Sequence, residues 1–436
     1  MAPSTPAPFS EPLLPQLDLP TNPYYTAKHE RLRAFVRNYV DTTLAPHAQE
    51  WEEKGEVPED VRKRHYELGF GVVHPVVDPA DAGGVKLPAG IPYEEWDTWC
   101  SVICGDEFNR LGWVGPIWGL GGGNGIGCPP ISRFGTDEQR QRWLPKVARG
   151  EIRFCLGITE PDAGSDVANI KTTAVRKGDK YIVNGSKKWI TNGIWSDYCT
   201  AAVRTGGPMH GGISLLVVPL KNQKGVTTRR MYNQGVHASG STFIEFDDVE
   251  VPVDNLIGPE NAGFALIMSN FNPERLSLAT AAIRLSRVCV ADAYNYALER
   301  ETFGKKLIMH HGIKQKFAEM GALIEPAQAF LDQLCYIIET SRTSGVEVRI
   351  GGMTALLKVM STRCLEKVCR ECRQILGGAA YNKSGKGARL EQISRDVGVH
   401  VIGGGSEEIM SDLAVREEAR DVVRRAKKRA SSQSKI

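Results

Sequence analysis

Leu156-Gly157-Ile158-Thr159-Glu160-Pro161-Asp162-Ala163-Gly164-Ser165-Asp166, followed downstream by Lys187-Lys188-Trp189-Ile190-Thr191-Asn192-Gly193, is the stretch on which the reading of this chain turns. It reads as two neighbouring strands whose ends offer hydroxyls (Thr159, Thr191, Ser165), an indole face (Trp189) and tight glycine turns to a flat, polar-rimmed ligand. Singly these residues are ordinary, since threonines favour strands and tryptophans fill cores. In this order they describe a binding edge.

Around that stretch, from about Glu151 to Gly258, short β-branched and aromatic runs alternate with turn dipeptides: Tyr181-Ile182-Val183, Thr200-Ala201-Ala202-Val203, Ser214-Leu215-Leu216-Val217-Val218 and Phe243-Ile244-Glu245-Phe246. This predicts an antiparallel β module. Upstream, residues 24–150 carry helical spacing, with Leu32, Phe35, Val36 and Tyr39 on one face and an amphipathic run over Asp137–Ala148. Helical periodicity returns over 259–421 in long segments, with breaks expected near Asn272-Pro273, Phe303-Gly304 and Gly377-Gly378. The expected architecture is α+β in three domains, α–β–α in chain order. A Pro-rich lead (1–23) precedes them and a basic tail (422–436) follows, both expected to be disordered. The glycine run Gly121–Gly127 lacks the preceding strand of a dinucleotide fingerprint and is followed by Pro129-Pro130, so it reads as a turn between helices.

The chain has 436 residues, 42% hydrophobic and 24% charged, with a net charge of +3, the pattern of a globular protein without a nucleic-acid bias. No apolar run is long enough to span a membrane. The ten cysteines occur without a secretory signal and are expected to be reduced; Cys369-x-x-Cys372 lies in a helical run (Ala355–Leu376) without a second ligand pair, so no metal is expected. The lead has the features of neither a signal peptide nor a mitochondrial presequence. The terminal Ser434-Lys435-Ile436, behind the basic run Arg424–Arg429, differs by one branched-methyl isomer from the peroxisomal tripeptide Ser-Lys-Leu. Peroxisomal localisation is the expectation, with cytoplasm or mitochondrion as alternatives.

The two quoted strings resemble the signature of the acyl-CoA dehydrogenase family, and the resemblance spans about Tyr24 to Asp421. It implies a helical N-terminal domain, a middle β domain and a C-terminal four-helix bundle, with FAD as cofactor. By resemblance, Thr191 bonds near flavin N5, Thr159 the pyrimidine edge, and Trp189 packs on the ring, while Leu156, Ile158 and Gly164 frame the site. Ser165 reaches the pyrophosphate and the substrate. Arg300-Glu301-Thr302-Phe303-Gly304 matches the arginine motif that crosses to a neighbouring subunit's FAD, a bidentate contact suited to pyrophosphate. Gln374-Ile375-Leu376-Gly377-Gly378 matches the partner motif, Gly404 and Ser406 fall at nucleotide-side positions, and Glu408 departs from the family pattern there. Motifs acting in trans imply a homodimer or homotetramer.

Acyl-CoA desaturation needs a carboxylate to remove the α-proton. Many relatives carry it at the position occupied here by Gly404, which cannot serve. Isovaleryl- and long-chain-type members place it instead before an arginine on an earlier helix, and Phe271-Asn272-Pro273-Glu274-Arg275 matches that pattern. Locally, Asn272 reads as an N-cap, Pro273 as the first helical residue and Glu274 as a first-turn acid. Glu274 is thus the expected catalytic base, over Glu407 and Glu408, which belong to the next helix. Asn272, Arg275 and Gly404 are expected on the acyl-CoA side. The reaction implied is α,β-desaturation of an acyl-CoA, with electrons passed to electron-transfer flavoprotein or another acceptor. The alternatives are an oxidase-like enzyme using O₂, and a non-catalytic flavoprotein whose short basic tail contacts nucleic acid.

Overall fold

The computed structural model describes residues 7–17, 22–72 and 78–433. They form two compact units, Ala27–Phe271 and a second made of the N-terminal lead with Asn272–Ile436. The Ser434-Lys435-Ile436 tripeptide lies outside the described residues.

In the first unit, seven helices precede the sheet: α1 Ala27–Tyr39, α2 Ala48–Lys54, α3 Glu59–Glu67, α4 Thr98–Asn109, α5 Val114–Gly127, α6 Pro129–Phe134 and α7 Asp137–Ala148. The start of α7 is fixed by a capping box between Thr136 and Gln139. The strands are β1 Phe154–Gly157, β2 Thr173–Lys177, β3 Lys180–Ile190, β4 Tyr198–Arg204, β5 Ile213–Pro219, β6 Val226–Arg230, β7 Thr242–Pro252 and β8 Leu256–Ile257. Their order is β6-β7-β3-β2-β4-β5-β8, with β1 on β4. The four β runs read from sequence fall inside β3, β4, β5 and β7. The sheet is not wholly antiparallel: β1 and β2 each pair with β4 in parallel. Its two faces bury separate apolar clusters, one around Trp143, Phe154 and Ile213, the other around Tyr181, Val203 and Phe246.

The glycine run is helix, correcting the turn expected there. Gly119, Gly123 and Gly127 recur every fourth residue along α5. A Cβ on each would lie 2.3 Å from Ala238 O, 2.4 Å from Phe154 O and 2.6 Å from Cys155 O. Missing side chains let α5 lie against β1 at backbone contact, and this packing outweighs the poor helix propensity of glycine. Only Gly121 breaks the helical dihedrals.

α8 Gly263–Glu299 begins in the first unit; from Asn272 onward it belongs to the second, which packs it with α9 His311–Ser344, α10 Gly351–Leu376 and α11 Ala388–Ile402, and α12 Glu407–Gln433 lies against α10. The inter-helix ties include Arg287–Glu325 between α8 and α9, and Arg389–Asp292 between α11 and α8. Two sequence expectations fail here. Residues 7–17 of the lead are docked on the bundle: the buried Arg284 and Arg287 of α8 donate to Ser10 O (3.2 Å) and Phe9 O (2.9 Å), and the Phe9 ring sits against Gly321. Two arginines that would otherwise be buried with unsatisfied donors take their acceptors from the lead's carbonyls. The basic tail is helical to Gln433, because α12 simply continues through it.

Candidate active site

In the first unit, β1 ends at Gly157 and the chain runs on beside β3, where Lys188 N–H donates to Thr159 O at 2.9 Å. The two strings are therefore neighbours, although the ladder partner of β1 is β4. Lys187 lies wholly buried beneath this junction, its Nζ donating to Ile158 O (3.1 Å) and Glu160 Oε1 (2.8 Å). Glu160 also accepts from the Lys171 and Thr172 N–H groups. Its carboxyl is held below its ordinary range: burial opposes this, but Lys187 and the donors outweigh it. This buried pair fixes the path of Ile158, Thr159 and Glu160. Leu156 and Ile158 turn their side chains into the apolar core, so only their backbone can face a ligand.

The register of β3 on β7 shifts between Lys187 and Ile190. A bulge re-aims side chains, and here it throws Trp189 outward with φ 64°, leaving the indole 51% exposed with the Lys188 ammonium 4.7 Å from its ring centre. Thr191 follows, half-buried. Asn192 (φ 60°) then anchors the turn: its Oδ1 accepts from Gly123 N–H (2.7 Å), and its Nδ2 donates to Trp118 O (3.0 Å) and Ser239 O (2.8 Å). Among the described residues the hydroxyls of Thr159 and Thr191 have no hydrogen-bond partner. Gly164 and Ser165 lie in an exposed turn, with open space beside Gly164. An exposed aromatic face flanked by two uncommitted hydroxyls and a glycine-opened loop fits a flat ring carrying acceptors along one edge and a polar extension.

In the second unit Glu274 lies inside α8, not at its start. The N-cap reading of Asn272 is corrected, and with it the helix-dipole argument for Glu274. Pro273 lacks the N–H that would bond Ser269 O, and that freed carbonyl accepts from Arg133 Nη1 at 3.3 Å instead, so the helix continues through the proline. Asn272 Oδ1 accepts from Arg275 Nη1 (3.1 Å), and Arg275 Nε donates to Gly404 O (3.2 Å).

Glu274 is half-buried, and its Oε2 is shielded from solvent without a hydrogen-bond partner among the described residues. Burial pushes its carboxyl up to about 7, against the lowering pull of Arg275 and Lys358. Gly404 has φ 67°, and a Cβ there would sit 4.0 Å from Glu274 Oε1 and 2.7 Å from Leu278 Cδ1. Position 404 and the Glu274 carboxyl thus occupy one space, and glycine at 404 leaves it to Glu274. Among the described residues the Gly404 and Gly405 N–H groups have no acceptor. Ser406 precedes α12, which opens with Glu407 and Glu408 as expected, and Glu407 pairs with Arg363.

Arg300 is exposed at the end of α8 before a two-stranded hairpin, β9 Glu301–Thr302 with β10 Lys305–Lys306, whose turn is Phe303-Gly304. Phe303 is 97% exposed. Gln374, Gly377 and Gly378 are exposed at the end of α10, with open space at both glycines. Sequence reasoning missed four residues that shape these sites: Asn192, the paired Glu160 and Lys187, and Lys358. The signal for Lys358 is a lysine on the buried stripe of α10 with Thr354, Ala355, Ser361, Thr362 and Leu365. All ten cysteines are free thiols, Cys369 and Cys372 being buried in α10.

Three family models match in chain order: acyl-CoA dehydrogenase N-terminal domain over residues 26–151, middle domain over 155–249 and C-terminal domain over 261–418. Among curated proteins, the chain is 45% identical to acyl-CoA dehydrogenase AFT10-1 of Alternaria alternata over 421 residues, covering 96% of this chain and 97% of that one. It is 29% identical over 397 residues to the mouse mitochondrial long-chain specific acyl-CoA dehydrogenase, covering 90% and 87%. Among solved structures, a putative acyl-CoA dehydrogenase of Mycobacterium smegmatis superposes with a TM-score of 0.82 at 32% identity, covering 91% and 98%. A glutaryl-CoA dehydrogenase of the same organism, solved in complex with FADH2, gives 0.76 at 25% identity, covering 91% and 95%.

Proposed function

This chain belongs to the acyl-CoA dehydrogenase family of oxidoreductases, and from that premise we propose that it binds FAD and desaturates an acyl-CoA thioester between Cα and Cβ, with Glu274 as the base. The observation that carries the reading is the pairing of Glu274 with Gly404: a shielded carboxyl whose proton affinity lies near neutrality, beside a position where a side chain is missing. Family membership supports FAD, and so do the uncommitted Thr159 and Thr191 hydroxyls beside the exposed Trp189. Thr159, Thr191, Trp189, Gly164 and Ser165 would hold the ring and the start of the pyrophosphate. Arg300, Phe303, Gln374, Gly377, Gly378 and Ser406 would meet the nucleotide half across a subunit boundary. When bound, FAD supplies the acceptor for the hydride that leaves the β-carbon.

The protein's own share is proton transfer and polarisation. Glu274, ionised, removes the α-proton. A base with a pKa near the working pH combines a useful ionised fraction with adequate basicity. The Gly404 N–H, which has no acceptor among the described residues, would donate to a thioester carbonyl and stabilise negative charge developing on its oxygen. Arg275 and Asn272 position Glu274 and the substrate from the same helix. The product is a trans-2-enoyl-CoA, and we assign the reoxidation step to electron-transfer flavoprotein or another acceptor. The Ser434-Lys435-Ile436 ending supports a peroxisomal address, testable by the distribution of a fluorescent fusion with and without the tripeptide. Anaerobic titration of the purified protein with straight- and branched-chain acyl-CoAs, following bleaching of the flavin absorbance, tests the activity. Reduction by at least one member is expected. A flavin that stays oxidised with every acyl-CoA sinks the reading.

A further inference from the structure

Lys358 lies on α10 with its side chain fully buried, and its Nζ donates to two carbonyls of one turn, Val401 O and Gly405 O (2.9 Å). The same turn receives Arg275 Nε at Gly404 O. Three carbonyls within the segment 401–405 therefore accept from two cations, which come from two different helices. With these carbonyls held inward, the Gly404 and Gly405 N–H groups are left without acceptors among the described residues, in positive-φ conformations (67° and 108°) that only glycine adopts freely. Glu274 closes the arrangement, its Oε1 lying 4.0 Å from the vacant Cβ position of Gly404.

No carboxylate lies within ion-pair distance of Lys358 Nζ among the described residues. The charged and titratable groups around it are Glu274 and Arg275 on α8, His400 on α11, and Glu407 and Glu408 on α12. Glu407 is already committed to Arg363. Glu274 has no such commitment.

We infer that Lys358 is a positioning residue for the reaction: its ammonium fastens the Val401–Gly405 turn so that the Gly404 N–H stays available, and its charge favours the ionised form of Glu274. This rests on the reading of Glu274 as base. The balance of forces supports it. Burial raises the Glu274 carboxyl to about 7, and Lys358 is one of two groups that hold it from rising further. Burial, with a further push from the Arg275 charge and against the pull of Glu407, Glu274 and Glu408, drops the Lys358 ammonium to about 8, so it is still mostly charged where Glu274 ionises.

The test compares holoenzyme carrying Lys358→Gln, which can still donate but has no charge, with Lys358→Arg, which keeps the charge. Two readouts are followed against pH: the carboxyl band of Glu274, isolated by infrared difference against Glu274→Gln, and the rate of flavin reduction by acyl-CoA. Removing a neighbouring opposite charge shifts a carboxyl by about one pH unit. Lys358→Gln should therefore move the Glu274 midpoint upward by about that much and slow reduction about five- to tenfold at pH 7. Lys358→Arg should hold the midpoint and recover most of the rate. An unchanged Glu274 midpoint in Lys358→Gln overturns the inference, however much stability is lost. A midpoint that moves while the pH dependence of reduction stays put leaves Lys358 controlling Glu274, but removes Glu274 as the base.

Discussion

Lys187 and Lys358 are two fully buried ammonium groups in different units, and they differ in what neutralises them. Lys187 has the Glu160 carboxylate at 2.8 Å, and Glu160 in turn has two backbone donors, so the pair is closed and its field is spent locally. Among the described residues Lys358 has only carbonyl acceptors, and its charge reaches Glu274. A buried cation with its own carboxylate is a structural brace. One without is an electrostatic instrument for whatever titratable group lies nearest.

The largest expected effect bears on the group that receives this field. Glu274→Gln should retain the yellow flavin and acyl-CoA binding while slowing flavin reduction by about 10²–10⁴ in stopped-flow traces; near-wild-type reduction would remove the purpose of the Lys358 arrangement. Next comes stability. Lys187→Met strands the Glu160 carboxylate, which is 5% exposed, and should cost about 3–5 kcal/mol in denaturant unfolding. Lys358→Met strands carbonyls only and should cost about 2 kcal/mol. Equal losses would erase the distinction between brace and instrument.

The pH dependence comes third. The folded carboxyl of Glu274 titrates near 7, above its unfolded value of 4.5, so the folded protein binds the extra proton between those limits. Its contribution to stability is complete below about pH 4.5 and is lost as pH rises through about 7, amounting to about 3 kcal/mol. Glu274→Gln should flatten that part of a stability-against-pH curve, whereas Lys187→Met should not. The smallest effect is at the turn. Gly404→Ala places a methyl 2.7 Å from Leu278 Cδ1 at a φ of 67°, and a melting shift equivalent to about 1–2 kcal/mol is expected. A larger kinetic than thermal penalty in that variant would mark the turn as part of the site rather than of the scaffold.

Much of the fold was legible because its signals are local. Short apolar, β-branched runs such as Ser214–Val218 became strands, and Gly377 ended α10 as a C-cap. The motif strings also named Glu274 and showed that Gly404 cannot be a base. The failures share one cause. At Gly121–Gly127, at Asn272-Pro273 and in the lead, local chemistry argued for a turn, a break and disorder. Contacts distant in sequence decided otherwise: the backbone of β1, the guanidinium of Arg133 and the buried Arg284 and Arg287.

The sequence by itself determined the α–β–α order, the two strings at the β edge and that residue 404 carries no carboxyl, since periodicity and residue identity are written along the chain. Only the tertiary structure decided that Trp189 is turned outward by a bulge, that α8 runs through its proline and that the Lys358 charge acts on Glu274 with no ion-pair partner of its own among the described residues. Those outcomes depend on burial and on which charges meet, and both arise only when segments remote in sequence pack together.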